Sequence, residues 1–530
     1  MKLNYRNRLV FAIACLAAVL ILAGCGGGGD GDVSSASSPT YPAPAVVYAD
    51  AFPDDAAFNA HWATEDPTGG NASWAVVGGE LSQTGHLEDN DLRDLTFDGL
   101  SSYHLGTYAY LVDPSISGSY RFSVSVLPKD NNAVDKTEGN DVGILFGYED
   151  DDNYYRISMN ARYGFTRFEK RSGGNFETIA VNARGYVDEN WVSMAAEISG
   201  DTIVVWINGQ PIFAWVDSAV LSGTVALYCQ DRCRFDNVRI TENPRQPTVA
   251  IASPLAYSVT PNNSFQAKAV VLSKPSGSSV AFSLDDGSEI SATASGGYYL
   301  ANFNGVADGE HEVTAVLRYA DGTRADIDVN ATVGTGGDYY VSVGDSITNG
   351  KYDEDPSNND SADGRIVSIQ GYQAPLVDAL GTQTRPVIVF NEGIAGEDST
   401  EMETRIVSIL ERHPGANQVL MLIGTNDSYG GGLPSATFAD NVDDTADLIV
   451  DAGKQVWLAE ILPTRDDDAR NATIQQYNVE IQTIAGTVAD VFLGPDLYTN
   501  FNSPSYYTDN LHPNDTGYGV IADQWYDKLH

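Results

Sequence analysis

Beyond residue 338 the apolar positions come in short unbroken runs separated by amphipathic stretches. Tyr339 to Val343, Val387 to Phe390 and Gln418 to Ile423 carry apolar and β-branched residues with little alternation. Runs of that length, bounded by polar turns, predict strands buried on both faces. Lys454 to Glu460 predicts another strand. Glu401 to Arg412, Ala469 to Ile484 and Asn514 to Leu529 predict helices, the last with Val520, Ile521 and Trp525 on one face. Strands alternating with helices predict a mainly parallel, doubly wound α/β sheet over residues 338–530. Upstream the period changes to two. Tyr120 to Val126 alternates, and Thr202 to Gln210 runs into Asn208-Gly209, a hairpin signal. Short strands and frequent turns predict an all-β sandwich over residues 46–243 and a second, smaller one over 247–334, where Glu312 to Tyr319 is the clearest strand. Pro244 to Pro247 and Thr335 to Gly337 read as linkers between these domains.

Each long run near the C-terminus ends in a polar turn. The first ends in Gly344-Asp345-Ser346, the second in Asn391-Glu392-Gly393-Ile394-Ala395-Gly396, the third in Gly424-Thr425-Asn426-Asp427. Open α/β sheets do their chemistry where strands deliver their carboxyl ends, so three strands bring polar groups to one sheet edge. A fourth polar stretch, Asp509-Asn510-Leu511-His512-Pro513, precedes the last helix. Taken singly these are ordinary turns, and Asp345 and Asp427 read as turn-forming residues. Together, in this order, they resemble the SGNH (GDSL) hydrolase family of esterases and lipases. The resemblance implies that Ser346 is the nucleophile, His512 the general base and Asp509 the residue that orients it. It implies an oxyanion hole built from the Ser346 N–H, the Gly396 N–H and the Asn426 side chain. The residue types suit the chemistry. A serine hydroxyl needs a base, an imidazole titrates near neutral pH, and a carboxylate three residues away can fix its tautomer. Of the seven histidines in the chain, only His413 and His530 share this region, and neither lies beside a serine motif. Tyr352 to Asp363, rich in Asp, Asn, Ser and Pro, predicts an exposed loop next to the nucleophile.

The first sandwich has stretches, Trp74 to Leu81 and Phe235 to Ile240, similar to those of concanavalin A-like, laminin-G-type jelly rolls. Many such domains bind glycans. Trp62, Tyr154, Tyr155 and Trp215 offer either sugar-stacking surfaces or core packing, and Asp150-Asp151-Asp152 either calcium ligands or a solvated loop. The spacing of the second sandwich fits an immunoglobulin-like spacer without the usual disulfide.

The N-terminus reads as a targeting segment. Lys2, Arg6 and Arg8 precede an apolar stretch, Leu9 to Ala23, too short to span a bilayer comfortably. Leu22-Ala23-Gly24-Cys25 resembles a bacterial lipobox, which implies a signal peptide over 1–24, cleavage, and lipidation of Cys25. An ordinary secretory signal is the alternative. Gly26 rather than Asp follows the cysteine, so in a Gram-negative host an outer-membrane or cell-surface lipoprotein is expected, with residues 25–45 as a flexible tether. Cys229 and Cys233 are then the remaining cysteines, expected to form one local disulfide; no further ligands cluster around them for zinc.

Lys and Arg total 30 against 72 Asp and Glu, a formal charge of −42. That field repels nucleic acid and anionic lipid headgroups and favours neutral esters. The sequence thus predicts a lipid-anchored serine esterase without a required cofactor, acting on acyl, chiefly acetyl, esters of a carbohydrate. Its alternatives are a lipase or arylesterase on small lipophilic esters, or a glycan-binding surface lipoprotein with an inactive hydrolase fold. Residues 336–530 are expected to fold and act on small esters alone.

Overall fold

The computed structural model describes residues 41–530 except 42, 68–71, 86–104, 117, 129–140, 161–164, 183–184, 187–189, 231, 243–246, 257, 261, 334–338, 354–370, 381–386, 414 and 466. The targeting segment, Cys25, residues 244–246 of the first linker, the 335–337 linker and most of the 352–363 loop therefore lie outside the described residues.

In the C-terminal domain five strands pair in parallel: β1 (Tyr339–Gly344), β2 (Ile388–Gly393), β3 (Gln418–Leu422), β4 (Gln455–Glu460) and β5 (Val491–Asp496), in the order β2-β1-β3-β4-β5. The strand order reverses about β1, which places a crevice at the carboxyl ends of β1 and β3. Helices cover both faces. Alternate residues of β1 divide between two cores: Tyr339, Val341 and Val343 pack with Met402, Ile406 and Ile409, whereas Tyr340 packs with Leu376, Ile521 and Trp525. This explains why β1 carries apolar residues on both faces rather than at every second position; its one polar side chain, Ser342, is buried and donates to Phe390 O. The predicted helices run over Ser399–Arg412, Asp468–Ala485 and Asp515–Leu529, within two residues of the sequence reading at each end.

Upstream, an eight-stranded and a seven-stranded sheet enclose a core that includes Phe122, Phe146, Phe168 and Phe235. Tyr120–Pro128 begins in strict alternation of buried and half-buried residues. Asn208 and Gly209 both take positive φ, 49° and 79°, and join Thr202–Ile207 to Gln210–Val216 as the predicted hairpin. Trp62, Tyr154 and Tyr155 are buried and pack within this domain. Cys229 and Cys233 are joined by a disulfide with S–S 1.99 Å. The Asp151 carboxylate accepts the phenols of Tyr108 and Tyr148, while Asp150 accepts from Asp152 N and Asn153 Nδ2. No group of three or more His, Cys, Asp or Glu placed to hold a metal occurs among the described residues. Between this domain and the α/β domain, a four-stranded and a five-stranded sheet enclose a separate core around Phe282, Phe303, Ala315 and Leu317.

The domains are less separable than their linkers suggest. Phe165 of the first sandwich and Val259 of the second are buried in the α/β core, against the Tyr339 face of the sheet. Val204 and Ala214 of the first pack against Ala250, Val270 and Leu272 of the second, and Val216 N donates to the Tyr298 phenol at 2.8 Å. Composition cannot show this, because an apolar residue buried between domains looks like one buried within a domain. Among the described residues no helix is long and apolar enough to cross a membrane.

Candidate active site

Ser346 opens a four-residue helix, Ser346–Asn349, directly after β1. Gly344 has φ 151°, and a Cβ there would lie 2.1 Å from Leu422 O on β3. Only glycine lets the chain turn at that spacing. Asp345 caps the helix, its Oδ1 accepting from Ile347 N at 2.8 Å, in keeping with the turn-forming role read from the sequence. Burial pushes the Asp345 carboxyl up to about 7, although the Ile347 N–H draws it down. The helix is stitched to the end of β2: Asn349 Nδ2 donates to Gly393 O, Asn391 Oδ1 accepts from Gly393 N, and Ile394 N donates to Gly344 O. The turn that carries Ser346 and the 391–396 turn are therefore one construction.

Three predicted residues form a continuous chain. Ser346 Oγ lies 3.0 Å from His512 Nε2, and His512 Nδ1 lies 2.8 Å from Asp509 Oδ2. The Asp509 carboxylate only accepts, so Nδ1 carries the proton and Nε2 is left to accept from the serine. Asp509 Oδ1 takes the backbone N–H groups of Leu511 and His512, both at 2.6 Å. The acid thus holds both the imidazole and the backbone that carries it. Burial pushes the Asp509 carboxyl up, but the His512 ring and these two N–H groups outweigh it and hold it below the ordinary range. Burial lowers the His512 pKa; Asp509 opposes this, and the positive charges of Lys351 and Arg470 add to it. The Tyr352 ring meets the imidazole edge to face, centroids 5.2 Å apart.

The other two predicted residues, Gly396 and Asn426, lie on loops that touch. Asn426 Nδ2 donates to the carbonyl of Glu397, the residue after Gly396, at 2.8 Å. Gly396 has φ 87°, a left-handed conformation that suits glycine. A buried ion pair that the sequence reading missed stands behind this contact. Arg405 Nε and one of its terminal nitrogens donate to the two Glu397 carboxylate oxygens at 2.7 and 2.8 Å, and the latter nitrogen also reaches Glu392 O. Glu392 in turn holds His413 Nε2 at 2.6 Å. Asp427, read as a turn former, reaches across to the same segment, accepting the Ser399 N–H and hydroxyl, and burial raises its pKa. The loop after β3 thereby clasps the loop after β2 at two points, Glu397 and Ser399. The available signal was weak: Glu397 and Arg405 lie eight residues apart, about two helical turns, with the helix start between them.

Residues 342–520 match the family model of the GDSL-like Lipase/Acylhydrolase family, and residues 58–241 match that of the 3-keto-alpha-glucoside-1,2-lyase-like domain. No curated protein matches the chain. Among solved structures, it is similar to the acetylxylan esterase Axe2 from Geobacillus stearothermophilus, at 19% identity over 37% of this chain and 94% of that one, with a TM-score of 0.30. It is similar to the esterase EstA from Pseudoalteromonas sp., at 19% over 36% and 96%, TM-score 0.30. It is also similar to carbohydrate binding module CBM66 from Bacillus subtilis, at 17% over 34% and 95%, TM-score 0.26. The C-terminal domain is a GDSL-like acylhydrolase domain, and a jelly-roll domain of the 3-keto-glucoside-lyase-like type precedes it. The protein is a serine ester hydrolase of that GDSL type.

Proposed function

We propose that the protein hydrolyses acyl esters, chiefly acetyl esters, on carbohydrates through Ser346, His512 and Asp509. The observation that carries the reading is the chain of hydrogen bonds from Ser346 Oγ through the imidazole to Asp509, at 3.0 and 2.8 Å. Ser346 attacks the ester carbonyl while His512 Nε2 takes its proton. The imidazolium is stabilised by Asp509, then returns the proton to the departing sugar alkoxide. Water activated by the same imidazole cleaves the acyl-serine, releasing the carboxylate and restoring the serine. The oxyanion is held by the N–H groups of Ser346 and Gly396 and by the Asn426 amide, whose second hydrogen remains for this task once the first is given to Glu397 O. A polar alcohol is favoured over a lipid because the Tyr352 ring lies against His512 and the charges of Lys351 and Arg470 act on it, and because a net charge of −42 opposes anionic headgroups.

Ser346→Ala and His512→Ala should each lower kcat by about 10³-fold or more on p-nitrophenyl acetate, and the double change should cost little extra, because triad members act as a unit. Near-normal turnover by folded Ser346→Ala would refute the assignment. Acetate release from a panel of acetylated polysaccharides decides the substrate class.

The lipobox-like Leu22-Ala23-Gly24-Cys25 supports placing the protein on the cell envelope, anchored through lipidated Cys25, with the second sandwich as a spacer. The native protein should then partition with membranes, and Cys25→Ser should not be lipidated. Mass spectrometry that found an unmodified mature N-terminus would exclude the anchor.

A further inference from the structure

Tyr429 is 70% exposed, the most exposed large hydrophobic side chain among the described residues. An exposed ring usually has no partner, but this one has an anchored backbone and a cation against one face. Its backbone N–H donates to Asn426 O at 3.0 Å, and its carbonyl accepts from Gly432 N at 3.0 Å. The Arg470 guanidinium lies 4.5 Å from the ring centroid. Arg470 is itself held by bonds to Ser428 Oγ at 2.8 Å and Thr425 O at 2.6 Å, both on the loop that carries Asn426. One face of the ring is thereby braced from behind. Gly430 and Gly431, which follow it, put no side chain beside it.

The ring also stands near the chemistry. Tyr429 is three residues from Asn426, so its Cα lies within about 11 Å of that of the oxyanion donor. Arg470, beneath the ring, is close enough to His512 to act on its charge. A rigid aromatic face, open on one side and a few residues from the reaction centre, is unlike a lipid site. Ser428, Arg470 and the glycines surround it with polar groups and backbone, where an acyl chain would need a continuous apolar trough. A sugar ring fits better. Its axial C–H groups form one flat apolar face that lies against an aromatic ring, while its hydroxyls stay in water.

We propose that Tyr429 is a stacking platform for a pyranose ring of the acylated carbohydrate, which aims the ester at Ser346. This rests on the carbohydrate-esterase reading above. The platform ties substrate preference to the same loop that carries Asn426, so binding of the sugar and placement of the carbonyl are set together.

The test compares the full chain with Tyr429→Ala and Tyr429→Phe, using p-nitrophenyl acetate and acetylated xylo-oligosaccharides. Tyr429→Ala should lose about tenfold more kcat/KM on the oligosaccharide than on p-nitrophenyl acetate, mainly through KM. Tyr429→Phe should keep the wild-type preference, because the ring remains. Equal losses on both substrates would make Tyr429 a structural part of the loop, and unchanged kcat/KM on both would leave it without a role; either result overturns the platform. Failure of the underlying reading looks different. A wild-type protein that cleaves p-nitrophenyl acetate but no acetylated sugar refutes the carbohydrate reading and the platform with it, before any variant is compared.

Discussion

In the proposed mechanism His512 works only while its Nε2 is free of a proton, so its environment would set the acid side of the activity profile. Burial lowers its pKa from 6.5, Asp509 opposes that, and Lys351 and Arg470 add to it. The neutral base therefore survives to a pH below the ordinary histidine value, and kcat/KM should fall only as pH drops through that lowered pKa. Lys351→Met removes one of the two cations, so the acid limb should move up toward 6.5. A pH-rate profile of kcat/KM on p-nitrophenyl acetate reads the shift, and a limb that stays put or moves down would show that Lys351 does not act on the imidazole. The stability linkage has the same sign. A histidine whose folded pKa is lowered binds protons more readily when unfolded, so the fold loses stability as pH falls from about 6.5 toward the folded pKa.

The helix Ser399–Arg412 joins the 394–398 loop, proposed to hold an oxyanion donor at Gly396, to the core. Its start is a capping box, with Asp398 accepting from Glu401 N and Glu401 returning a bond to Asp398 N. Its buried face sets Met402, Ile406 and Ile409 into the sheet, and Arg405 projects from the next position to take Glu397. The ion pair is fully enclosed, so removing one partner strands the other. Arg405→Met should cost about 3–5 kcal/mol in urea unfolding. Glu397→Gln keeps the shape and leaves fewer charge-assisted bonds. It should lower kcat more than it raises KM if the pair positions Gly396 and Asn426 for the transition state. A change in KM alone would assign the pair to substrate binding instead.

Residues 41–530 form one compact unit. Linker composition suggests an esterase that stands alone, whereas Phe165 and Val259 put upstream side chains into its core. Phe165→Ala in the full chain should therefore destabilise the esterase by about 3–5 kcal/mol, the usual cost of truncating a buried phenylalanine. A chain reduced to residues 338–530 should be less stable by a comparable amount, since it leaves that face of the core exposed to water. Urea unfolding followed by loss of ester hydrolysis measures both. Equal stability of the short and long chains would show that the contact adds nothing. The same contacts hold the jelly roll beside the esterase rather than on a loose tether, so sugar bound by one would stand in a set relation to the other.

The amino-acid sequence determined whatever is encoded locally. Apolar runs ending in Gly-Asp-Ser, in Asn-Glu-Gly and in Gly-Thr-Asn-Asp specify strands and the turns after them, because the signal lies within six or seven residues. The Asn208-Gly209 hairpin and the helices before and after β5 were legible for the same reason. Asp509 and His512 were legible as a pair through the family resemblance, and three residues of spacing let the carboxylate reach the imidazole. Tertiary structure alone decided which partners meet across the crevice. Nothing local in Glu397 announces Arg405, nothing in Asp427 announces Ser399, and Tyr429 reads as an ordinary loop tyrosine until Arg470, 41 positions later, is found beneath its ring. Phe165 has the composition of any core residue, and only folding shows that the core it completes belongs to another domain. Such contacts depend on where strands and helices place side chains in three dimensions, and no short window of residues carries that information.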